Sequence, residues 1–311
     1  MAFVNRIVGP IAIEARGVSF AYPDRIRALV DLSFQAREGE IVAVMGANGS
    51  GKTTLLKVLM RLLHPEQGEV LLGAADVRTL RASELYRRVG MVFQNPADQL
   101  FAASVEEDVA FGPRNQGLSE AEVGQRVEES LAAVDALALA KRPIHHLSYG
   151  QQKRVCLAGV LAMQAGILLL DEPTAGLDPV GESQMIDLLV RLNRRQKVAL
   201  IIATHCVDLL PVLADRIYVL AQGRVWQEGA PHEVLADPQR AAQAGLRIPL
   251  VAQLFRQLQN RSRMPVGEIP LTVAEAEEQI LPWLMAARAG QISPLGQRAG
   301  DAGSESEGGC R

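Results

Sequence analysis

Ile41-Val42-Ala43-Val44-Met45, followed by Gly46-Ala47-Asn48-Gly49-Ser50-Gly51-Lys52-Thr53-Thr54, decides how this chain is read. Five consecutive apolar residues suit a strand buried on both faces. The run behind them matches G-x-x-x-x-G-K-[ST] without a gap, and helix-forming residues follow from Thr53 to Leu63, stopping near Pro65. A strand, a glycine loop and a helix in that order make a phosphate cradle. Glycines let successive backbone N–H groups curl around a phosphate, and the helix N-terminus adds its positive end. The expected ligand is ATP with Mg²⁺. Asn48, Gly49, Ser50, Gly51 and Thr54 line it, Lys52 reaches the β- and γ-phosphates, and the Thr53 hydroxyl binds the metal.

Two further stretches belong with the first. Ile167-Leu168-Leu169-Leu170 reads as a second buried strand and ends in Asp171 and Glu172. Carboxylates at the C-terminal edge of a parallel strand sit where ligands bind. Asp171 is expected to hold Mg²⁺, and Glu172 to polarise the attacking water as general base. Between the two lies Leu147-Ser148-Tyr149-Gly150-Gln151, after which a helix is expected with Val155, Ala158 and Ala162 on one face. A hydroxyl and a glycine before a helix make another anion site. One nucleotide needs only one such site. The simplest use of two is that two copies of the chain share them.

Composition limits the alternatives. The chain has 311 residues, enough for one large domain or a large one plus a small one, and 48% of them are hydrophobic. A formal net charge of −3 gives no sign of a nucleic-acid-binding surface. Cys156, Cys206 and Cys310 match no metal spacing and point to a reducing compartment; Cys156 and Cys206 lie in apolar runs and are expected in the core. The start, MAFVNRIVGP, lacks the apolar segment of a signal peptide. No apolar run approaches the roughly 20 residues of a membrane span, so any pore must come from other subunits.

Along the chain, residues 11–45 read as strands and turns, with Ile11, Ile13 and Ala15 alternating and then Val18 and Phe20. Residues 66–93 read as short strands and turns ending in Val89–Phe93. Residues 97–146 form a helical insert. Ser119-Glu120-Ala121-Glu122 is a capping box there, with Val123, Val127, Leu131, Val134 and Leu137 at helical spacing behind it. Beyond the second anion motif, helix and strand alternate: a helix to about Met163, a strand at 167–170, a helix from about Val180 to Asn193, and a strand at 198–203. That alternation predicts a parallel sheet covered by helices, an α/β fold. Asp215–Gln227 reads as a hairpin turning at Gln222-Gly223. After about residue 240, prolines break up short helices, and Thr272-Val273-Ala274-Glu275 caps one running to about Arg288. The end, from 291, has the composition of a disordered tail.

In this order the motifs resemble the nucleotide-binding subunits of ABC transporters, over about residues 11–240. The resemblance implies a P-loop NTPase fold with a RecA-like parallel sheet core, an N-terminal antiparallel β subdomain and a helical subdomain at about 97–163. Residues 241–290 would be a C-terminal extension that supports dimer contacts. It implies an ATPase driving import from the cytoplasmic face of the cell membrane, as a peripheral subunit. By the same resemblance Gln94 reaches the metal and the attacking water, and His205 contacts the γ-phosphate. Tyr22 stacks on adenine, with Phe20 as the competing aromatic. Gly176-Leu177-Asp178 crosses the dimer interface. Ser148, Gly150 and Gln151 meet the ATP of a second ATPase subunit, an identical chain or a paralogue. Tyr149 stands where the family often has glycine. His145-His146 reads as a turn before the motif.

Asn95-Pro96-Ala97-Asp98-Gln99-Leu100-Phe101 and Val105–Pro113 look like the corresponding segment of energy-coupling-factor importers. That likeness makes Asp98, Gln99 and Phe101 candidates for docking a transmembrane scaffold subunit, with a substrate-binding membrane subunit engaged indirectly. Residues 145–163 most resemble the cobalt and nickel branch. A vitamin importer of the same type and a binding-protein-dependent importer share the catalytic residues. Non-transport ABC ATPases of chromosome maintenance separate the two phosphate motifs by long coiled coils. Here residues 55–146 intervene without sustained heptads.

Overall fold

The computed structural model describes residues 9–237, 241, 243, 245, 247–261 and 267–288. It divides into two units, Met1–Arg247 and Ile248–Arg311. The expected tail, Cys310 included, lies outside the described residues.

Strands β1 (Ile11–Ala21) and β2 (Arg27–Arg37) form a long antiparallel pair. After β3 (Ile41–Met45), β4 (Gln67–Leu72) and β5 (Ala75–Asp76) complete an antiparallel sheet of order β2-β1-β4-β5. The two alternating apolar sets expected near the N-terminus belong to one strand. Its register shifts between Ala15 and Val18, and Gly17 lies there at φ 56°. One extra residue flips the phase, so Ile13, Ala15, Val18 and Phe20 all enter the same core. Gly68 of β4 (φ 83°) presses on this bulge: a Cβ would run into the carbonyl oxygens of Arg16 and Gly17.

The second sheet has the order β10-β9-β3-β8-β7-β6, with β6 (Val89–Val92), β7 (Ile167–Asp171), β8 (Ala199–Ala203), β9 (Arg216–Ala221) and β10 (Arg224–Gly229). Five strands run parallel, and β10 returns antiparallel to β9 through the turn at Gln222 (φ 50°) and Gly223 (φ 75°). Every residue of β3, β7 and β8 is buried. Such runs show no alternation because both faces are covered, one by helices and the other by a helix together with the antiparallel sheet.

Among the elements described for the first unit, the helices are α1 (Lys52–Leu59), α2 (Ala82–Arg88), α3 (Val105–Asn115), α4 (Glu120–Ala133), α5 (Tyr149–Ala162), α6 (Pro179–Gln196), α7 (Leu210–Leu213) and α8 (Pro231–Leu235). Helix α1 ends before the expected Leu63. Arg61 adopts φ 58° and donates to the carbonyls of Val77 and Leu80 at 2.6 and 2.7 Å, which turns the chain away. Helix α2 has no apolar period to announce it, since Leu85 is its one buried residue. Helix α4 opens on the expected capping box: Glu122 Oε2 accepts from the Ser119 N–H at 2.9 Å. Val123, Val127, Leu131 and Val134 are buried, but Leu137 is exposed, because the helix ends at Ala133 and Asp135 turns left-handed at φ 57°. Helices α3, α4 and α5 pack on one another as the helical insert. Cys156 is buried there; Cys206, expected in the core, is only half-buried at the end of β8.

The second unit contains α9 (Leu250–Arg261) and α10 (Val273–Arg288), the latter capped by Thr272, whose hydroxyl accepts from the Glu275 N–H at 3.2 Å. Among the described residues, no helix is long and apolar enough to cross a membrane.

Candidate active site

The parallel register brings three strand ends level. Val44 of β3 pairs with Ala203 of β8, and Ala203 pairs with Asp171 of β7. The Thr204 N–H then donates to Val44 (3.1 Å), and the Glu172 N–H to Ala203 (2.9 Å). Gly46, Glu172 and His205 therefore leave the sheet along one C-terminal edge, where open α/β sheets bind ligands. Strand β6 pairs Val92 with Leu170, so Gln94 leaves from the same edge.

The glycine loop is tightly wound. Gly46 has φ 154°, and a Cβ there would collide with Ser50 and with the Leu220 carbonyl. Ala47, Asn48 and Gly49 are exposed. Lys52 is buried and donates to the carbonyls of Gly46 (2.8 Å) and Ala47 (3.3 Å). The Ser50 hydroxyl is buried and has no hydrogen-bond partner among the described residues. An orphaned hydroxyl inside a phosphate loop fits an oxyanion that would accept from it.

Thr53 Oγ1 donates to Asp171 Oδ1 at 3.1 Å. Burial pushes the Asp171 carboxyl up, Glu172 beside it adds to that, and the Thr53 hydrogen bond and Lys52 pull it back. A hydroxyl beside a carboxylate is a hard-oxygen pair suited to Mg²⁺. Among the described residues no group of three or more His, Cys, Asp or Glu side chains converges. A site with few protein ligands fits Mg²⁺, which takes its other oxygens from phosphates and water.

Glu172 is buried and sits in the left-handed region at φ 49°. Its Oε2 lies 2.9 Å from His205 Nδ1. A carboxylate only accepts, so Nδ1 carries the hydrogen. The Glu172 carbonyl accepts from Lys153 Nζ at 2.8 Å and from the Ala175 N–H at 3.2 Å. Lys153 was not among the expected site residues. Tyr22 is half-buried, with its hydroxyl 3.1 Å from Thr54 Oγ1 and its ring edge-on to Phe20. Phe20 itself is buried in the core, so Tyr22 is the aromatic presented at the start of α1.

Helix α5 begins inside the serine-glycine motif, at Tyr149, not after it. Ser148 is its exposed N-cap, and Gln151 Oε1 accepts from the Ser148 N–H at 3.0 Å. The Gln151 side chain is thus engaged in a capping box. Among the described residues, nothing in 148–151 is hydrogen-bonded to the phosphate loop. This motif neighbours Gln94 instead, whose carbonyl accepts from the Tyr149 hydroxyl (3.4 Å), and Gly176-Leu177. Asp178 is exposed and caps α6, accepting from Gly181 N–H at 2.6 Å. His145 and His146 meet edge to face in an exposed turn.

The segment after Gln94 is split between inside and outside. Asp98 and Phe101 are exposed. Gln99 is turned inward: its amide accepts from the Phe93 N–H (3.2 Å) and donates to the Cys156 carbonyl (3.0 Å). Its place is that of a brace, not of a docking residue. Phe111, not anticipated, stands exposed and edge-on to Phe101 at 4.8 Å. Buried Asp108 holds this loop by accepting from the N–H groups of Phe101 and Ala102 at 2.9 and 3.0 Å.

The family model described as ABC transporter matches residues 29–175. The energy-coupling factor transporter ATP-binding protein EcfA of Methanocaldococcus jannaschii is 44% identical, over 88% of this chain and 98% of its own. The cobalt import ATP-binding protein CbiO of Rhodobacter capsulatus is 46% identical, over 87% of this chain and 98% of its own. Among solved structures, cbiO1 of Clostridium perfringens, described as part of the ABC transporter complex cbiONQ, superposes with a TM-score of 0.69. It is 38% identical and covers 79% of this chain and 99% of that one.

Proposed function

The chain belongs to the ABC transporter ATP-binding proteins, a family of ATPases, and from that premise we propose that it powers an energy-coupling-factor importer for cobalt or nickel ions. The observation that carries the reading is the level row of Thr53–Asp171 and Glu172–His205 along one sheet edge. Lys52 and the loop N–H groups hold the β- and γ-phosphates. Thr53, Asp171 and Gln94 would hold Mg²⁺, which would neutralise charge on the phosphate oxygens. Glu172 takes the proton of the attacking water, and His205 fixes the carboxylate from the other side.

Ser148 and Gly150 of one copy complete the nucleotide site of the other; in support, Ser148 is an exposed N-cap and Gly150 packs toward Leu177 on its own chain. The names of the EcfA and CbiO relatives support the importer type and cobalt as cargo. The exposed Phe101–Phe111 pair beside Asp98 supports a docking surface for the membrane scaffold subunit.

Uptake tests the whole reading. A strain lacking the chain should lose accumulation of labelled cobalt or nickel. The wild-type gene should restore it, and Glu172→Gln should not. Undiminished uptake of both ions in the deletion strain would remove the cargo assignment.

A further inference from the structure

Lys153 is a cation in an apolar place. It is 3% exposed and borders a small pocket lined by Val92, Leu157, Leu170, Pro173, Met185 and Leu189. Burial depresses its pKa, with Cys156, Glu172 and Asp171 opposing that shift. A buried ammonium without a close carboxylate partner costs stability. The hydrogen bond it makes among the described residues goes to the Glu172 carbonyl, at 2.8 Å. That peptide needs holding, because a left-handed φ of 49° is unfavourable for a residue with a side chain.

Tyr149 sits one turn earlier on the same helix face. Its ring centroid lies 5.5 Å from Lys153 Nζ, within cation–π range. The ring also lies flush against Gly176, where a Cβ would be 2.9 Å from Tyr149 Cε1. Its hydroxyl donates to the Gln94 carbonyl at 3.4 Å. One side chain thus touches the segment after β6, the turn after Glu172 and the lysine between them.

We propose that Tyr149 and Lys153 are positioning residues for Glu172 of their own chain, Lys153 by gripping its carbonyl and Tyr149 by covering that lysine with its ring. This deepens the proposed function and rests on Glu172 acting as general base. The start of α5 then faces two ways. Ser148 looks to the partner's nucleotide, and the next turn holds the chain's own base.

The test is a double-mutant cycle in the full-length chain, reading ATPase kcat, KM for ATP and thermal midpoint. Lys153→Met keeps length and apolar stem but drops the charge. It should lower kcat roughly tenfold, leave KM within about twofold, and leave the midpoint unchanged or raised. Tyr149→Ala should lose kcat to a similar extent, while Tyr149→Phe, which keeps the ring, should retain most of it. The double variant Tyr149→Ala/Lys153→Met should be no slower than the worse single variant, because the two act as one unit. Wild-type kcat in Lys153→Met, multiplying losses, or a kcat loss that follows a falling midpoint would each overturn the proposal. Glu172→Gln run alongside separates the layers. If it is inactive and Lys153→Met is normal, the positioning fails alone; if it turns over normally, the general-base reading fails and this proposal with it.

Discussion

Asp171 shows what a buried carboxylate costs the protein that carries it. Its carboxyl is 3% exposed, and burial raises its pKa above the ordinary aspartate range. A raised acid pKa means the folded state prefers the neutral form, so the penalty is present in full above the folded pKa and fades as pH falls through it. Asp171→Asn removes the charge and keeps an oxygen to accept from Thr53. Without nucleotide or Mg²⁺ its thermal midpoint at pH 7 should exceed that of the wild type. The difference should shrink toward acid pH, while Mg²⁺-dependent nucleotide binding is lost. A lower midpoint at pH 7 would refute the desolvation argument. Asp171 and Glu172 stood out in the sequence because they end an apolar strand run, and Thr53 because it closes the glycine motif; His205 was singled out by the resemblance alone. Lys153 did not stand out, since Gln152 and Arg154 beside it make it read as part of a solvated face. Gln99 misled for the converse reason. It sits among exposed residues in a short turn, and only the fold shows both ends of its amide used internally.

Whole elements were legible where one period runs through them, and obscure where it breaks. The strands of the parallel sheet, the capped helix α4 and the final hairpin follow from pattern alone. Strand β1 looked like two pieces because the bulge at Gly17 reverses inside and outside halfway along. Helix α1 looked longer than it is, because no propensity scale anticipates the carbonyls that capture Arg61. The bulge also sets a sharp demand on its neighbour. Gly68 combines a positive φ with backbone oxygens on the spot a Cβ would take. Backbone atoms cannot swing aside as a flexible side chain can. Gly68→Ala should cost about 3 kcal/mol or more in denaturant unfolding. A loss under about 1 kcal/mol would mean that the β1–β4 pairing slides to make room.

At the scale of the molecule, the prediction concerns two copies. If each site takes its phosphate loop and Glu172 from one chain and Ser148 from the other, two inactive variants can repair each other. Ser148→Ala and Glu172→Gln, each nearly silent alone, should regain about a quarter of wild-type ATPase when mixed in equal amounts as exchanging homodimers. Half the dimers are then mixed, and each mixed dimer holds one intact site. No recovery under conditions of proven exchange would argue against shared sites. The order of strands in the parallel sheet carries one more consequence, for the time before any dimer exists. The strand that delivers the phosphate loop, residues 41–45, lies between β8 and β9, which span 199–203 and 216–221. The loop is braced further by Gly223, whose N–H donates to the Ser50 carbonyl at 3.2 Å. During synthesis the motif leaves the ribosome early, yet its flanks arrive only after some 170 further residues. Capacity to bind nucleotide therefore switches on only once residues 199–221 have been made, and a translation product interrupted before them has a correct motif with nothing to hold it in shape.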